Sequence, residues 1–586
     1  MQNNNISLLI ADPTDKTTLL QAAAHQTERV IFANKNNLLN IQGVNNLRQI
    51  LQQQPTTTTK YAHIQIDDPN LIESLKEDPQ FLKSDQSLKV ITFNRHRLTA
   101  RRLLLSYPLY QYADMRGQDR IRVAIFGFAN KAQQMLLQLA SSSYYRDFKV
   151  PEIIIIDPQA KQRGQQFINR YPGLQDPEIC KLNFIDFNIK TQTPDAEFLQ
   201  TLENQGNSAY GQNLTAILFC LEQDKKNINA SLRLRIKTQQ TRIALAPIFV
   251  EMTQDLPALS IPVEKTPYFE QVVQHFGQLE QTCSWQEIVE ASSDKLAKFI
   301  HKAYNSRYGK GTKWQDLTET YRDANRGAAD HITVKLASLA YWIPEDPSNW
   351  SQTVDLTENQ ELLAKLEHKR WYAERRLNGW QYGTTRDDNR KIHPCLVPYE
   401  QLPEDEKQKD RTNIQDLQNF FSSQQPKQGE KVRKAITIAL LATKESQLNK
   451  EFIKQLLTKH NDYHITFMTA LQNPLEQEFA KIAIEEKLKL IIPRPYPNEQ
   501  KYPEADWIID LLPAGKQPTS LTTEEREIQH QRAIIYQLER ADIVIMAEEN
   551  QQWIKWRQGE ETIPTELSSI PSSLNRTIPS ELIMVH

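Results

Sequence analysis

Residues 122–132 read Arg122-Val-Ala-Ile-Phe-Gly127-Phe-Ala-Asn-Lys-Ala132 and carry the clearest structural signal in the chain. Residues 123–126 form an apolar run of strand length, Gly127 follows it, and residues 133–140 have the spacing of an amphipathic helix. A strand that passes through a glycine turn into a helix opens a parallel α/β unit. The stretch therefore predicts a parallel sheet with helices packed against it.

Apolar runs of strand length recur on both sides of this stretch, at the spacing of alternating strands and helices. The upstream runs are at 6–11, 29–33, 61–66 and 88–93, and the downstream runs are at 152–157, 182–186, 215–220 and 242–250. Between the upstream runs and after them, residues 70–76 and 98–105 have helical spacing. The pattern predicts tandem Rossmann-like parallel-sheet units at 1–115, complete or partial, and at 116–262.

Gly127 stands first in a pattern that resembles the dinucleotide fingerprint GxGxxG. Ala129 and Ala132 fill the other glycine positions, and Asp157 ends the next predicted strand, where an acidic residue can hold a ribose hydroxyl. The chain has only 16 glycines in 586 residues, against an average of about 7%. Two interpretations stay open: a scaffold without cofactor, or a site for NAD or another nucleotide at Gly127 and Asp157. The arrangement resembles the TrkA-N, or RCK-type, nucleotide-binding domains of bacterial potassium transport.

Composition and charge argue against several classes of protein. Lys and Arg number 70 against 72 Asp and Glu, so the formal charge of −2 does not favour binding to nucleic acid or acidic membranes. No apolar stretch approaches the ~20 residues of a membrane helix, and the first residues lack a signal-peptide pattern. The four cysteines are scattered without a CxxC pair, which argues against a zinc site or a disulfide framework. We expect a soluble, cytoplasmic protein without a membrane span or a nucleic-acid partner.

The middle of the chain contains an unequal internal repeat. Residues 294–304 align without gaps on residues 361–371, and residues 314–326 align on residues 399–411. The two offsets are 67 and 85, so the second copy holds 18 additional residues between its two helices. His301 and His368 occupy equivalent helix positions, which favours a shared packing or capping role over metal binding.

The additional residues fall within Gly379-Trp-Gln-Tyr-Gly-Thr-Thr-Arg-Asp-Asp-Asn-Arg-Lys-Ile-His-Pro-Cys-Leu-Val-Pro398. An insertion rich in aromatic and charged residues on paired helices is typical of a ligand loop. Aromatic rings can stack on a base, and cations can take phosphates; the cations here are Arg386, Arg390 and Lys391. In the structural alternative, Trp380 and Tyr382 pin the loop onto the helices while Arg386 and Asp387 form an internal ion pair. The residues alone favour neither.

Residues 363–411 closely resemble the RyR domain, the repeat named after ryanodine receptors. The shared elements are Gly-Trp-x-Tyr-Gly at 379–383, Arg-Asp-Asp at 386–388, His-Pro-Cys-Leu-Val-Pro-Tyr at 393–399 and Leu-Pro-x-x-Glu-Lys at 402–407. In that family, tandem repeats form a helical module, and prokaryotic members beside Rossmann-like domains are proposed to sense nucleotides or nucleotide-derived signals. The resemblance implies an all-α module at 263–422, with a degenerate first repeat at about 294–335 and a full repeat at about 357–420. The ligand site that it implies is lined by Trp380, Tyr382, Arg386, Asp387, His393 and Tyr399. No binding residue is assigned to the first repeat, which lacks the loop.

Residues 422–430 read as a linker, and residues 431–562 again alternate between strands and helices. The predicted strands are 435–442, 464–468, 488–492 and 543–546, and the predicted helices are 448–460, 475–487 and 527–540. Their order and the closing Arg540-Ala-Asp-Ile-Val-Ile-Met546 resemble SLOG-type nucleotide-sensing domains, relatives of the lysine-decarboxylase-like phosphoribohydrolases. The glycine-rich turns of that family are missing, and Glu476 and Glu478 fit a solvated first helical turn better than catalytic carboxylates. Residues 563–586, rich in Ser and Pro, predict a loosely packed tail.

The sequence shows no nucleophile–base motif, HExxH helix or Walker loop. We therefore name no catalytic residue and no metal ligand. The leading hypothesis is a non-enzymatic sensor that binds a nucleotide or nucleotide-derived signal through its RyR domain and acts through a homo-oligomer or a partner protein. One alternative is a soluble regulatory component of potassium transport that binds NAD or a nucleotide at the Rossmann domain. The other is a nucleotide-processing enzyme that acts through the SLOG-like domain.

Overall fold

The structure, a computed structural model, is mixed α/β and describes residues 11–12, 14–68, 71, 74, 85, 87–189, 191–192, 194, 198, 201–202, 214–241, 246–254, 273–291, 294–308, 311–317, 319–343, 354–357, 359–423, 432–441, 450–495, 505–512, 518–547 and 581–585. The helices are α1 (Lys16–Gln21), α2 (Asn37–Gln53), α3 (Arg95–Ser106), α4 (Leu109–Met115), α5 (Asn130–Ser142), α6 (Ala160–Arg170), α7 (Asp224–Thr241), α8 (Leu279–Thr282), α9 (Trp285–Ile288), α10 (Lys295–Tyr308), α11 (Glu319–Asp330), α12 (Ile332–Ser338), α13 (Gln360–Leu377), α14 (Glu404–Ser422), α15 (Lys450–Lys459), α16 (Pro474–Glu485) and α17 (Thr523–Arg540). The strands are β1 (Arg29–Phe32), β2 (Lys60–Gln65), β3 (Leu88–Phe93), β4 (Arg122–Phe126), β5 (Glu152–Asp157), β6 (Lys181–Asp186), β7 (Ala216–Phe219), β8 (Ile248–Glu251), β9 (Val273–Phe276), β10 (Tyr341–Trp342), β11 (Gln381–Tyr382), β12 (Ile392–His393), β13 (Arg433–Leu441), β14 (His464–Met468), β15 (Lys489–Arg494), β16 (Trp507–Asp510), β17 (Ile543–Ala547) and β18 (Glu581–Val585).

The internal contacts divide the chain into two units. Unit 1 comprises Met1–Leu103, Gln133–Gln138 and Gly277–Asp330. Unit 2 comprises Leu104–Ala132, Leu139–Phe276 and His331–His586. The central module predicted at 263–422 is therefore divided, because the first repeat belongs almost entirely to unit 1 and the full repeat belongs to unit 2.

Unit 1 contains a parallel sheet of order β1-β2-β3. Helices α1 and α2 supply apolar side chains to its core, where Leu47 and Ile50 pack with Ala62 and Ile64. Helix α1 begins where the Asp15 carboxylate accepts a hydrogen bond from a backbone N–H of the first turn, as helix N-termini require. The predicted strand at 6–11 lies outside the described residues except for residue 11, and of the predicted helix at 70–76 only 71 and 74 are described.

The first sheet of unit 2 is fully parallel, with the order β6-β5-β4-β7-β8-β9. This is the Rossmann strand order, so the predicted Rossmann-like parallel sheet is confirmed at this coarse level. Strands β4, β5 and β7 are buried along their whole length, as expected of strands covered on both faces. The strand order reverses at β4, and Gly127 and Asp157 lie at the carboxyl ends of β4 and β5.

The second sheet of unit 2 has the order β16-β15-β14-β13-β17-β18, and β10 pairs antiparallel with β13. Alternate residues of β13 enter different cores, because successive side chains of a strand point to opposite faces. Ile438 and Leu440 pack with residues of α15 and α16. Ala439 and Leu441 pack with residues of α17.

Several elements depart from the sequence prediction. The Rossmann-ordered sheet continues past residue 262 to β9, whose short sequence Val273-Gln-His-Phe276 lacks the apolar run that marks its neighbours. The predicted tail contains β18, which pairs in parallel with β17. Glu476 is buried and not solvated: its carboxylate accepts the Gln472 N–H at 2.8 Å. Among the described residues, no helix has both the length and the apolar character needed to cross a membrane.

Candidate functional site

The loop at 379–398 leaves the end of α13 and returns to the chain before α14. Gly379 has a φ of +82°, a left-handed conformation that glycine adopts without strain at a helix end. Two short parallel strands, β11 and β12, hold the two sides of the loop together. Asp387 closes the tip, because its backbone N–H and C=O exchange hydrogen bonds with Ile392 at 3.0 and 2.8 Å.

The inner side of the loop is fixed by a cluster of side chains, which we call the inner cluster: Trp371, Arg375, Trp380 and His393. Trp380 is only 7% exposed, and the Arg375 guanidinium lies over its ring at 4.9 Å, a cation–π contact. The His393 ring meets Trp371 edge-on at 5.0 Å and Trp380 at 6.1 Å. Burial, reinforced by the positive charges of Arg386 and Arg375, lowers the pKa of His393 to about 4. At neutral pH the His393 ring is therefore uncharged.

The outer side of the loop is a polar rim. The Tyr382 ring is 58% exposed. Arg386 forms a bidentate pair with the Asp388 carboxylate, with N···O distances of 2.7 and 3.1 Å. Asp387 accepts hydrogen bonds from two backbone N–H groups of the following turn. The Arg390 and Lys391 side chains are exposed, so a stacking face and cations share this rim.

Tyr399 lies in a separate, buried cluster that includes residues of α13 and α14. The His368 Nε2 is 2.8 Å from the Val397 carbonyl oxygen and must donate, since a carbonyl only accepts. The Tyr399 ring meets His368 edge-on at 5.8 Å, and burial next to Glu361 raises the pKa of Tyr399. Asp410 faces the other ring nitrogen of His368 at 3.5 Å, and burial raises the pKa of that carboxyl.

These positions agree only partly with either interpretation of the loop. Trp380 packs inward as the structural interpretation expects, whereas the Tyr382 ring is exposed and Arg386 pairs with Asp388. The structure brings Trp380 and His393 together, places Tyr382, Arg386 and Asp387 along the rim, and places Tyr399 in the buried cluster. Sequence reasoning missed Trp371 and Arg375. Their spacing of four residues on α13, which places both on one face of the helix, was the available signal.

Residues 343–424 match the RyR domain family. The match contains the predicted full repeat, so the RyR part of the sequence prediction is confirmed. We refer to residues 343–424 as the RyR segment. Its described part, residues 343, 354–357 and 359–423, contains the whole loop and both of the helices that carry it.

The first repeat lies outside the match, yet it makes the same internal contacts as the RyR segment. The His301 Nε2 is 2.8 Å from the Thr312 carbonyl oxygen, as His368 is from Val397. Arg326 pairs with Asp294 at 2.8 Å and with Glu319 at 2.5 Å. At the equivalent positions of the RyR segment, Arg411 pairs with Glu361 at 2.8 Å and also with Glu404. The repeat is therefore present in the contacts as well as in the sequence.

In the first repeat, which lacks the loop, one aromatic residue of the first helix is half exposed. Tyr304, the equivalent of Trp371, is 52% exposed. The first repeat thus provides an internal comparison: the same helical frame without the loop at 379–398. Across the described residues, no group of three or more His, Cys, Asp or Glu side chains is arranged to hold a metal ion.

The second candidate site, at Gly127 and Asp157, is engaged by the protein itself. Asp157 accepts the Phe128 N–H at 3.1 Å and pairs with Arg163 through both oxygens at 3.2 Å. Gly127 has a φ of +99°, and a Cβ there would lie 2.8 Å from the Cys220 carbonyl oxygen. The glycine is therefore explained by close packing. A ribose at Asp157 would have to displace the Arg163 pair, so these residues do not fit a dinucleotide as they stand.

Proposed function

We propose that this protein is a non-enzymatic cytoplasmic sensor that binds a nucleotide or nucleotide-derived signal on the rim of the loop at 379–398. The observation that carries the proposal is the division of that loop into a fixed inner side and an exposed outer side. Packing of Trp380 against Arg375 and His393 holds the backbone in place. A preorganised backbone lowers the entropy cost of binding at the rim.

The rim offers the two kinds of contact that a nucleotide needs. A base can stack on the exposed Tyr382 ring, a contact that is worth about 1–3 kcal/mol for single-stranded nucleic acids. Phosphates can bind Arg390 and Lys391, and Arg386 can exchange its Asp388 partner for a phosphate. Both ends of such a ligand would bind within one short loop.

The proposal extends to the α/β domains. In it, the Rossmann-ordered sheet belongs to a TrkA-N- or RCK-like domain, and the last sheet belongs to a SLOG-like domain. In it these α/β domains transmit the bound state to a partner protein or a second copy of the chain. The strand order with its reversal at β4 favours one second candidate, a regulatory component of potassium transport that binds NAD or a nucleotide at Asp157. The Asp157–Arg163 pair counts against it, because the pair uses the carboxylate that a ribose would need.

Calorimetric titration of the full chain with ATP, ADP, ADP-ribose, NAD and cyclic mono- and oligonucleotides tests the proposal. The decisive variant combines Tyr382→Ala with Arg390→Ala, since both side chains are exposed and their removal leaves the inner cluster around Trp380 intact. Tyr304→Ala is the matched control, because it removes an exposed tyrosine from the repeat that has no loop. Binding that is lost in the double variant and retained in the control supports the loop. Binding that survives the double variant but is lost in Asp157→Ala supports the second candidate, and product formation would indicate an enzyme.

A further inference from the structure

The guanidinium of Arg376 joins the ligand loop to a second segment of unit 2. Its Nη1 donates to the Trp380 carbonyl oxygen at 3.0 Å, and its Nε donates to the Asp176 carboxylate at 3.0 Å. Trp380 is the buried residue at the start of the loop. Asp176 lies between a 3-10 turn, Pro172–Gln175, and β6. One side chain thus binds both the backbone of the loop and the turn that precedes β6, an edge strand of the Rossmann-ordered sheet.

The contact is built from more than one pair. Tyr372, one helical turn before Arg376, donates to the same Asp176 oxygen at 2.7 Å. The other oxygen of Asp176 accepts the Glu178 N–H at 3.1 Å. The Asp176 side chain is mostly buried, and a hydrogen bond to a carboxylate is about twice as strong as one between neutral groups. Asp176 therefore fixes both its own turn and the end of α13.

The backbones also approach closely at this point. A Cβ on Gly173 would collide with the main-chain carbonyl group of Arg376, so only glycine leaves the required space. The backbones of the two segments are therefore in direct contact at this point. Packed contacts of this kind transmit small displacements, because interiors are dense and resist deformation.

We infer that Arg376 is a positioning residue that couples the loop at 379–398 to residues 172–180 through Asp176. It orients the Trp380 carbonyl, and so the start of β11, while its second bond holds the turn before β6. A displacement of the loop backbone is then felt at 172–180, and the reverse also holds, because coupling between two sites is reciprocal. The inference deepens the proposed function, on which its regulatory meaning rests, by naming the connection through which a bound ligand reaches the α/β domain.

Hydrogen exchange of the full chain, followed by mass spectrometry of peptides covering 172–180 and 379–393, tests the coupling without any ligand. We expect Asp176→Asn to speed exchange in the loop about tenfold, the change that corresponds to losing about 1.4 kcal/mol of hydrogen bonding. Trp380→Ala is expected to speed exchange at 172–180 in return. Glu178→Gln is the matched control, since it removes a charge from the same turn and leaves Asp176 in place.

Each outcome bears on the inference. Faster exchange limited to these two segments supports it, and the double variant of Asp176→Asn with Trp380→Ala should then exchange at 172–180 no faster than the faster of the two single variants. Unchanged loop exchange in Asp176→Asn would overturn it, as would equal acceleration in Glu178→Gln or acceleration spread over the whole chain. A wild-type chain that binds no nucleotide would contradict the proposed function and leave these exchange results standing.

Discussion

His301 and His368 make the same hydrogen bond in two repeats of unequal length. In each repeat the Nε2 lies 2.8 Å from a backbone carbonyl oxygen, that of Thr312 in the first repeat and of Val397 in the second. Each carbonyl belongs to the second residue before the aromatic residue that follows the loop region, Trp314 or Tyr399. The histidines therefore tie the end of the connecting segment to the first helix, whether the segment is short or contains the loop at 379–398.

Replacing either histidine should destabilise the protein by a similar amount. We expect His301→Ala and His368→Ala each to lower the free energy of unfolding by about 2 kcal/mol, because each removes a buried ring together with its hydrogen bond to a backbone carbonyl. Urea denaturation measures the change. His25→Ala, which removes a ring that contacts only the adjacent Gln26 side chain in the hydrogen bonds described, should cost much less. A loss at His368 alone would mean that the histidine serves the ligand loop and not the shared frame.

The repeat could be predicted from the sequence because its signal is local. Identical residues at fixed spacing mark the helices, and their partners lie within one helix–loop–helix segment. Most strands of the two larger sheets were predictable for a related reason: buried parallel strands are continuous apolar runs, such as Glu152-Ile-Ile-Ile-Ile-Asp157 in β5.

Other features depend on contacts that no local pattern records. Strand β9 is a short edge strand whose sequence, Val273-Gln-His-Phe276, has no apolar run, and β18 was missed because the Ser- and Pro-rich residues before it predicted a loosely packed tail. The division of the two repeats between two units reflects long-range packing. In the loop, the sequence identified aromatic residues and cations as a group, but only the structure separates the buried Trp380 from the exposed Tyr382. The partners Arg375 and Arg376 were missed because charged residues on a helix are usually solvated.

The glycine of the nucleotide-type turn should prove structural. We expect Gly127→Ala to lower the free energy of unfolding by about 3 kcal/mol, since the new Cβ meets the Cys220 carbonyl oxygen and the backbone has a positive φ. Gly311→Ala is the matched control. Gly311 also has a positive φ, +74°, but a Cβ there meets nothing within 4 Å, so its cost should be about 1 kcal/mol. Equal costs at the two positions would show that close packing at Gly127 contributes nothing.

Removing the buried negative charge of Glu367 should strongly lower the free energy of unfolding. It accepts from the Lys335 Nζ at 2.7 Å and from Arg370 at 2.7 Å, and these two cations hold its pKa below the ordinary range. Glu367→Gln leaves two buried cations without their counter-ion, so we expect a loss of about 3–5 kcal/mol in the free energy of unfolding.

The control for Glu367 lies on the same helix. Glu361→Gln disrupts the more exposed pair with Arg411 and should cost less than about 1 kcal/mol. Because the folded-state pKa of Glu367 is depressed, its contribution is present at neutral pH and is lost as the pH falls through the acid range. Thermal denaturation of both variants at pH 7 measures the difference, and equal losses would contradict a buried network around Glu367.

The loop should open as the pH falls. His393 has a folded-state pKa of about 4, against about 6.5 in an unfolded chain. Between these values the open form binds more protons than the closed form, so the closed form loses stability as the pH falls from 6.5 towards 4 and loses no more below that. Hydrogen exchange of residues 379–393, corrected for the intrinsic pH dependence of exchange, should therefore accelerate over this interval.

Two variants distinguish the effect of His393 in the loop from the effect of a buried histidine elsewhere in the chain. His393→Gln should remove most of the corrected pH dependence, because glutamine does not titrate there and can still accept the Cys395 N–H that now bonds His393 Nδ1 at 3.1 Å. The pKa of His464 is also lowered to about 4 by burial, with Lys489 and Arg433 reinforcing the shift, but His464 stacks on Trp342 beside the second sheet. His464→Gln should therefore leave the loop as pH-dependent as in the wild type. Loop exchange that is independent of pH in the wild type, or equally changed by both variants, would show that His393 does not control the closure of the loop.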